Sequence, residues 1–283
     1  MAMSVEDIKL SSWMGESYVY IKELRLDELS LPSAHNSGMD RKARSVSSYT
    51  TCQNDSFKFQ MENGIRVMDT RLAYYWGAKG ELGDKFSHVH NLPSGHTLND
   101  QLEAVKAFLS VNPDEYVIID IHDLSPAHDT PIPYADLAAY IEKELKGRLL
   151  PYEASTMSLE QLKKNYPGQT VVVAAGGDLY LNASLMWPKI QHKWIGQPIV
   201  TAYQLGGYIE SVMQSPPSGD LWSLSATGYA ALGPTYIESD IDDWFASRGE
   251  YQMKSNIINV DWFDRTRLVL NCIDTNIAKG ARK

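Results

Sequence analysis

Short apolar runs rich in β-branched residues alternate with segments of helical period along most of the chain. Runs at 29–35, 65–72, 85–90, 116–122, 170–175, 198–201, 221–225 and 257–262 read as strands. Their near-continuous hydrophobicity is the pattern of a mostly parallel sheet covered on both faces. Helical periodicity is clearest over 98–109, where Leu98, Leu102, Val105 and Leu109 form one stripe before Asn112-Pro113 stops the segment. Further helices are expected at 134–145, 158–164, 204–213 and 237–247, and the Pro-, Ser- and Asp-rich stretches 123–133 and 214–220 read as loops. Eight strands is the closure number of a TIM-type barrel, so the expectation is an α/β fold, a (β/α)8 barrel, regular or distorted and incompletely closed. Nothing marks a second domain, and residues 1–283 are expected to form one.

Composition narrows the function classes. A net charge of -9 argues against nucleic acid as a partner, because phosphate-backbone binding needs clustered Lys and Arg. No apolar run reaches the roughly 18 residues that span a bilayer, so a soluble chain is expected. Cys52 and Cys272 are too few and too far apart for a disulfide framework or a cysteine metal site. The N-terminal segment lacks the basic-then-apolar pattern of a signal peptide.

In a parallel barrel, chemistry belongs at the C-terminal ends of the strands. The polar residues there are His35 and Asn36, Asp69 and Arg71, His88 and His90, Asp120 and His122, and Asp261. Four of the chain's seven histidines thus fall in segments that read as buried sheet. A buried polar side chain costs several kcal/mol unless partnered, so the concentration points to a site.

The motifs then become specific. Segment 29–38, Leu-Ser-Leu-Pro-Ser-Ala-His-Asn-Ser-Gly, is followed by 63–71, Asn-Gly-Ile-Arg-Val-Met-Asp-Thr-Arg. Phe-Ser-His-Val-His at 86–90 precedes Thr97-Leu98 and a helix closed by Asn112-Pro113-Asp114-Glu115. The series ends with Leu-Trp-Ser-Leu-Ser-Ala-Thr-Gly at 221–228 and Asn-Ile-Ile-Asn-Val-Asp-Trp at 256–262. In this order and spacing the motifs resemble the X domain of phosphatidylinositol-specific phospholipase C.

The resemblance implies a phosphodiesterase that cleaves the glycerol side of a phosphatidylinositol-like lipid through a cyclic phosphate. It assigns His35 as general base, His90 as general acid, Arg71 to the nonbridging oxygens, Asp69 to orienting that network and Asp261 to holding the base histidine. His88 shares a strand face with His90 and is the competing acid. His122, Asp120 and His88, together with Tyr203 and Trp222, are expected to contact substrate, and Tyr74, Tyr75 and Trp76 are further candidates for ring stacking or lipid contact. His96, His128 and His192 read as surface residues.

Two departures from the family pattern matter. Metal-independent members carry Asp where this chain has Asn36, whereas calcium-dependent members pair His-Asn with acidic residues at positions 69 and 71. Arg71 would repel a cation and supply its charge instead, so no metal is expected; the alternative is Ca2+ or Mg2+ held by Asn36 and Asp69 with Asp120 or His122. Counterparts of the family's inositol-gripping Arg and Asp are missing, which leaves other head groups open. Expected partners are a phospholipid and a transient membrane interface, with a secreted monomer acting there. The alternatives are a metal-dependent phosphodiesterase and a catalytically weak lipid-binding or toxin module.

Overall fold

Seven ladders, all parallel, carry the architecture. The computed structural model describes residues 4–44 and 47–283; residues 1–3, within the segment where no signal was read, lie outside them. In chain order the strands are β1 (Leu31–Ala34), β2 (Val67–Tyr74), β3 (Phe86–His90), β4 (Leu92–Thr97), β5 (Val117–Pro126), β6 (Val171–Ala175), β7 (Trp187–Pro188), β8 (Gln191–Lys193), β9 (Trp222–Ser225), β10 (Tyr229–Ala230), β11 (Gly233–Pro234) and β12 (Ile257–Val260). The curled sheet runs β7-β6-β5-β2-β1-β12-β9-β8. Its two ends are separated in the chain by Lys189 and Ile190 alone. One short segment therefore pairs with β6 through its first residues and with β9 through its last, joining the ends without a β7–β8 ladder among the described residues.

The period of two assigns each strand residue a side. Val67, Ile118, Val172 and Ala174 belong to one buried cluster. Met68, Ile119, Val173 and Ala175 belong to another, with Leu98 and Leu102 of the helix Leu98–Val111 and Leu137 and Ile141 of the helix Tyr134–Glu144. The first set thus points away from those helices, into the barrel. Asp69 and Arg71 share the parity of Val67, and Asp120 that of Ile118, so their side chains enter the same interior.

The β2–β5 ladder pairs Thr70 with Ile121 but Arg71 with Asp123, leaving His122 as an extra residue at a bulge. Bulges re-aim side chains and gather near functional sites.

At the opposite end of the barrel, the guanidinium of Arg66 is fully buried against Glu115. Arg66 also donates to the carbonyls of Leu10, Ser11, Met61 and Ile65, and Glu115 accepts from the backbone of Met14 and Gly15. The Gly-Ile-Arg and Asn-Pro-Asp-Glu motifs are therefore one structural staple. Breaking such a pair from one side leaves a buried charge, a loss of about 3–5 kcal/mol.

Three sequence expectations need correction, the first being the loop at 123–133: its residues 123–126 continue β5, paired with the extended end of β2. Residues 85–90 form no barrel strand: β3 pairs antiparallel with β2 and β4, making a hairpin on the strand β2 extends beyond the barrel. Alternating apolar and polar residues do not reveal strand direction. Residues 198–201 form no strand either, contributing a single bridge between Val200 and Tyr229. The ring is joined instead by β7 and β8, too short and polar to show a period. The amphipathic helix Leu268–Gly280, not expected from the sequence, packs behind β1.

His88 lies in β3 with 1% of its surface exposed, its ring 5.1 Å from that of Phe57. A Cβ at Gly38 would overlap the His88 ring, so glycine is required there. Burial, helped by the nearby His96, pushes the His88 pKa down to about 3. An unfolded histidine titrates at about 6.5, so the unfolded chain binds the extra proton first as pH falls. The stability held by neutral His88 is complete above that value and is lost progressively below it. Between about pH 7 and about pH 5 the wild-type protein should lose about 2 kcal/mol more stability in urea denaturation than His88→Gln does. An equal pH dependence in the two proteins would show that His88 is not the group responsible.

Candidate active site

His35 follows β1 directly, and its backbone N–H donates to Val260 O of β12 at 3.0 Å. Gln53 Nε2 donates to the carbonyls of His35 and Val260, tying both strand ends to one side chain. The chain turns sharply beyond each strand: Asn36 and Trp262 occupy the left-handed region at φ 45° and 52°. Asparagine tolerates that region, whereas a bulky tryptophan there is strained.

The His35 ring is held at both nitrogens. Nδ1 lies 2.8 Å from Asp261 Oδ1, and Nε2 lies 3.1 Å from Arg71 Nη2 and 3.3 Å from Asn36 Nδ2. Arginine and the amide nitrogen only donate, so Nε2 carries the lone pair and Nδ1 the proton given to Asp261. Asp261 thus fixes the tautomer that leaves a basic nitrogen facing the cleft.

Asp69 anchors the other side. Arg71 grips it through Nε to Oδ1 at 3.2 Å and Nη2 to Oδ2 at 3.1 Å, while Asn259 Nδ2 and the Asn36 N–H donate to Oδ2 at 3.0 and 3.3 Å. Burial alone would raise the Asp69 pKa, but Arg71 and then His35 outweigh it and hold the carboxyl well below the usual range. The same pairing, against burial, raises the Arg71 pKa, so the guanidinium charge is permanent. A calcium ion at Asn36 and Asp69 would have to displace that guanidinium from the carboxylate.

His90 stands opposite, at the end of the β3 hairpin. Its ring centroid is 6.2 Å from that of His35, at an interplanar angle of 80°. Nδ1 lies 3.3 Å from the Thr50 carbonyl, which only accepts, so Nδ1 carries the proton of the neutral ring and Nε2 is free. Burial, reinforced by His35, pushes the His90 pKa down to about 4, with the Thr50 carbonyl opposing.

Tyr229 completes a three-ring arrangement, 6.1 Å from His35 and 5.8 Å from His90. Beneath the rings Cys52 Sγ lies 3.6 Å from His90 Nδ1, 3.7 Å from Asn36 Nδ2 and 3.8 Å from the Tyr229 hydroxyl. Burial, with the charge of Asp261, pushes the Cys52 thiol and the Tyr229 phenol well above their ordinary pKa values, so both stay protonated.

These groups open into a cleft of about 440 Å³ lined by His35, Arg71, His90, His122, His192 and Tyr229, with Tyr49 and Trp194 at its sides. Asp120 lies behind them, 2% exposed, its Oδ2 2.8 Å from His192 Nε2; the rings of His122 and His192 are 3.9 Å apart.

The structure therefore gathers His35, Asn36, Asp69, Arg71, His90, Asp261, Asp120 and His122 in or directly behind one cleft. It does not bring the other expected substrate contacts there. His88 is sealed in the hairpin core, and Tyr203 is 92% exposed on the helix Ala202–Gln214, outside the cleft lining. Trp222 is buried at the first residue of β9, lining a groove with Leu24 and Lys254 at the N-terminal end of the barrel. Tyr74 stacks on Phe86 at 4.8 Å, and Tyr75 and Trp76 also lie outside the cleft lining.

His192 is no surface residue: 10% of its side chain is exposed, and it lines the cleft. His96 is half-buried and paired with Asp40 at 2.9 Å. Cys52, Tyr229 and His192 were missed. Tyr229 could have been found from its place just after the strand at 221–225, whereas nothing in sequence singles out the other two.

Comparison with known proteins follows the same line. No family model matches the chain. The mouse PI-PLC X domain-containing protein 2 is 21% identical over 308 aligned positions, covering 94% of this chain and 87% of that protein. Among solved structures, the phosphatidylinositol-specific phospholipase C of S. aureus superposes with a TM-score of 0.72 at 15% identity, over 95% of this chain and 99% of the other. That of Listeria monocytogenes gives 0.70 at 15% identity, again over 95% and 99%. The fold is the one these phospholipases carry, and the resemblance to the phosphatidylinositol-specific phospholipase C X-domain family, first visible in the motifs, holds along nearly the whole chain.

Proposed function

We propose that the chain is a phosphodiesterase of the phospholipase C type, cleaving a phosphatidylinositol-like lipid by acid–base catalysis between His35 and His90. The observation that carries this reading is the pair of imidazoles 6.2 Å apart on the wall of one cleft, with the Arg71 guanidinium 3.1 Å from the first of them. A phosphate between the two rings would meet a lone pair, a permanent cation and a nitrogen able to deliver a proton.

His35 Nε2 takes the proton of a head-group hydroxyl next to the phosphate as that oxygen attacks phosphorus. The bond to the glycerol oxygen breaks, and His90, which takes up a proton on Nε2 when the phosphodiester anion binds, delivers that proton to the oxygen as it leaves. The products are diacylglycerol and a cyclic phosphodiester, which water opens with the two roles exchanged. In the free protein Arg71 donates to the basic nitrogen; the arriving anion draws that donor onto its nonbridging oxygens and frees the base. Charge building up there in the transition state is met by a guanidinium already held in place by Asp69. This chemistry needs no calcium at Asn36 and Asp69.

The rim supports an interfacial substrate. Ile199 and Leu232 are 57% and 87% exposed and neighbour the cleft-lining Pro198 and Gly233, beside the half-exposed Tyr49 and Trp194. With a net charge of -9, attachment to an anionic bilayer rests on these apolar groups rather than on charge attraction.

His35→Ala and His90→Ala should each lower turnover of phosphatidylinositol at least about a hundredfold while circular dichroism stays unchanged; normal turnover in either variant removes this mechanism. The pH profile gives an independent check. His90 is a proton donor whose pKa is held down at about 4 in the free protein, and a bound phosphodiester anion raises it. The alkaline limb of kcat, which reports the complex, should therefore lie at higher pH than that of kcat/KM, which reports the free protein. Coincident limbs would contradict the assignment of His90.

A further inference from the structure

A second set of ionisable groups shares the cleft, and the acid–base reaction does not use it. Asp120 and His122 come from β5, and His192 comes from β8, in the segment that joins the ends of the sheet. One donor atom from each lies within 4.8 Å of the other two. The bulge at His122 is what turns that imidazole onto His192. We propose that Asp120, His122 and His192 bind a divalent cation of the zinc class, with an open coordination position facing the cleft.

Three observations carry this. The first is donor chemistry. Two imidazoles and one carboxylate suit zinc and its neighbours, whereas calcium and magnesium take oxygen. Three protein ligands and an open fourth position are the usual form of a reactive zinc site.

The second is unfinished hydrogen bonding. Asp120 Oδ1 and His122 Nδ1 are both buried without a partner, although Asp120 is only 2% exposed. A polar cluster built only for packing would satisfy these atoms, because each unpaired group costs about 1–3 kcal/mol.

The third is spacing. Zinc bonds of about 2.0–2.2 Å place donor atoms roughly 3.3–3.5 Å apart, a distance reached from the observed one by small side-chain rotations.

The other donor cluster among the described residues, His35 with Cys52 and Asp261, is the weaker candidate. The Arg71 guanidinium occupies His35 Nε2, and the Cys52 thiol resists ionisation. Arg71, which lines the same cleft, is already neutralised by Asp69. Only the occupant of the open position rests on the proposed phosphodiesterase reading: there the cation receives a head-group oxygen.

Titration of metal-stripped protein with Co2+, followed by visible absorption and by competition with Zn2+, tests the proposal without substrate. One equivalent should bind and give d–d bands with no thiolate charge-transfer band. His122→Gln and His192→Gln should each weaken binding at least about tenfold, while Cys52→Ala and His35→Ala retain it. Absence of binding by the wild-type protein, a thiolate band, or unchanged affinity in both histidine variants overturns the site. The wild-type titration and the Cys52→Ala control decide the matter even if a cluster variant fails to fold. A negative result leaves the His35 and His90 chemistry untouched, because that chemistry is read by turnover.

Discussion

The structure of the site depends on burying two carboxylates, Asp69 and Asp261, in the interior of a barrel. Neither can sit there alone, because an unpaired buried charge costs far more than a domain's net stability can absorb. Each therefore recruits a partner of opposite or donating character, and the partners are the groups to which the proposed chemistry falls. Asp261 takes His35 by Nδ1 and so exposes a basic nitrogen. Asp69 takes Arg71 by two bonds and so fixes a cation beside that nitrogen. Removing either carboxylate would do more than loosen packing: it would free a tautomer or release a charge.

The barrel makes this arrangement possible through parity. Parallel strands align their C-terminal ends, so residues of one parity on β1, β2, β5 and β12 converge although they lie far apart in sequence. His90 and Tyr229 are the exceptions. They arrive on hairpins outside the parallel set and so line the cleft from the side opposite the strand ends. The opposite end is closed by Arg66 and Glu115, a buried pair satisfied by backbone groups and carrying no chemistry. One kind of interaction thus serves stability at one end of the barrel and the proposed chemistry at the other.

Much of this was legible in the residues. His35, Asp69, Arg71 and Asp261 stand out because each interrupts or ends an apolar run, and only a functional or structural partner justifies such a position. His90 was legible through its motif, not through its strand, whose direction the period of two cannot reveal. His192 was invisible because its strand is three residues long and polar, so that neither hydrophobic pattern nor length marks it. Cys52 was equally hidden, since its role comes from lying under two rings supplied by distant segments. Tyr203 and Trp222 were misplaced for a related reason: an aromatic side chain near a barrel strand is as much at home on a helix surface or at the far end of the core.

The central claim is that an internal hydroxyl attacks phosphorus between His35 and His90. Phosphorus NMR of the products formed from phosphatidylinositol vesicles tests it most directly. The account predicts a cyclic phosphodiester as the first product, with the open monophosphate appearing later. A monophosphate formed without passage through the cyclic species would contradict it.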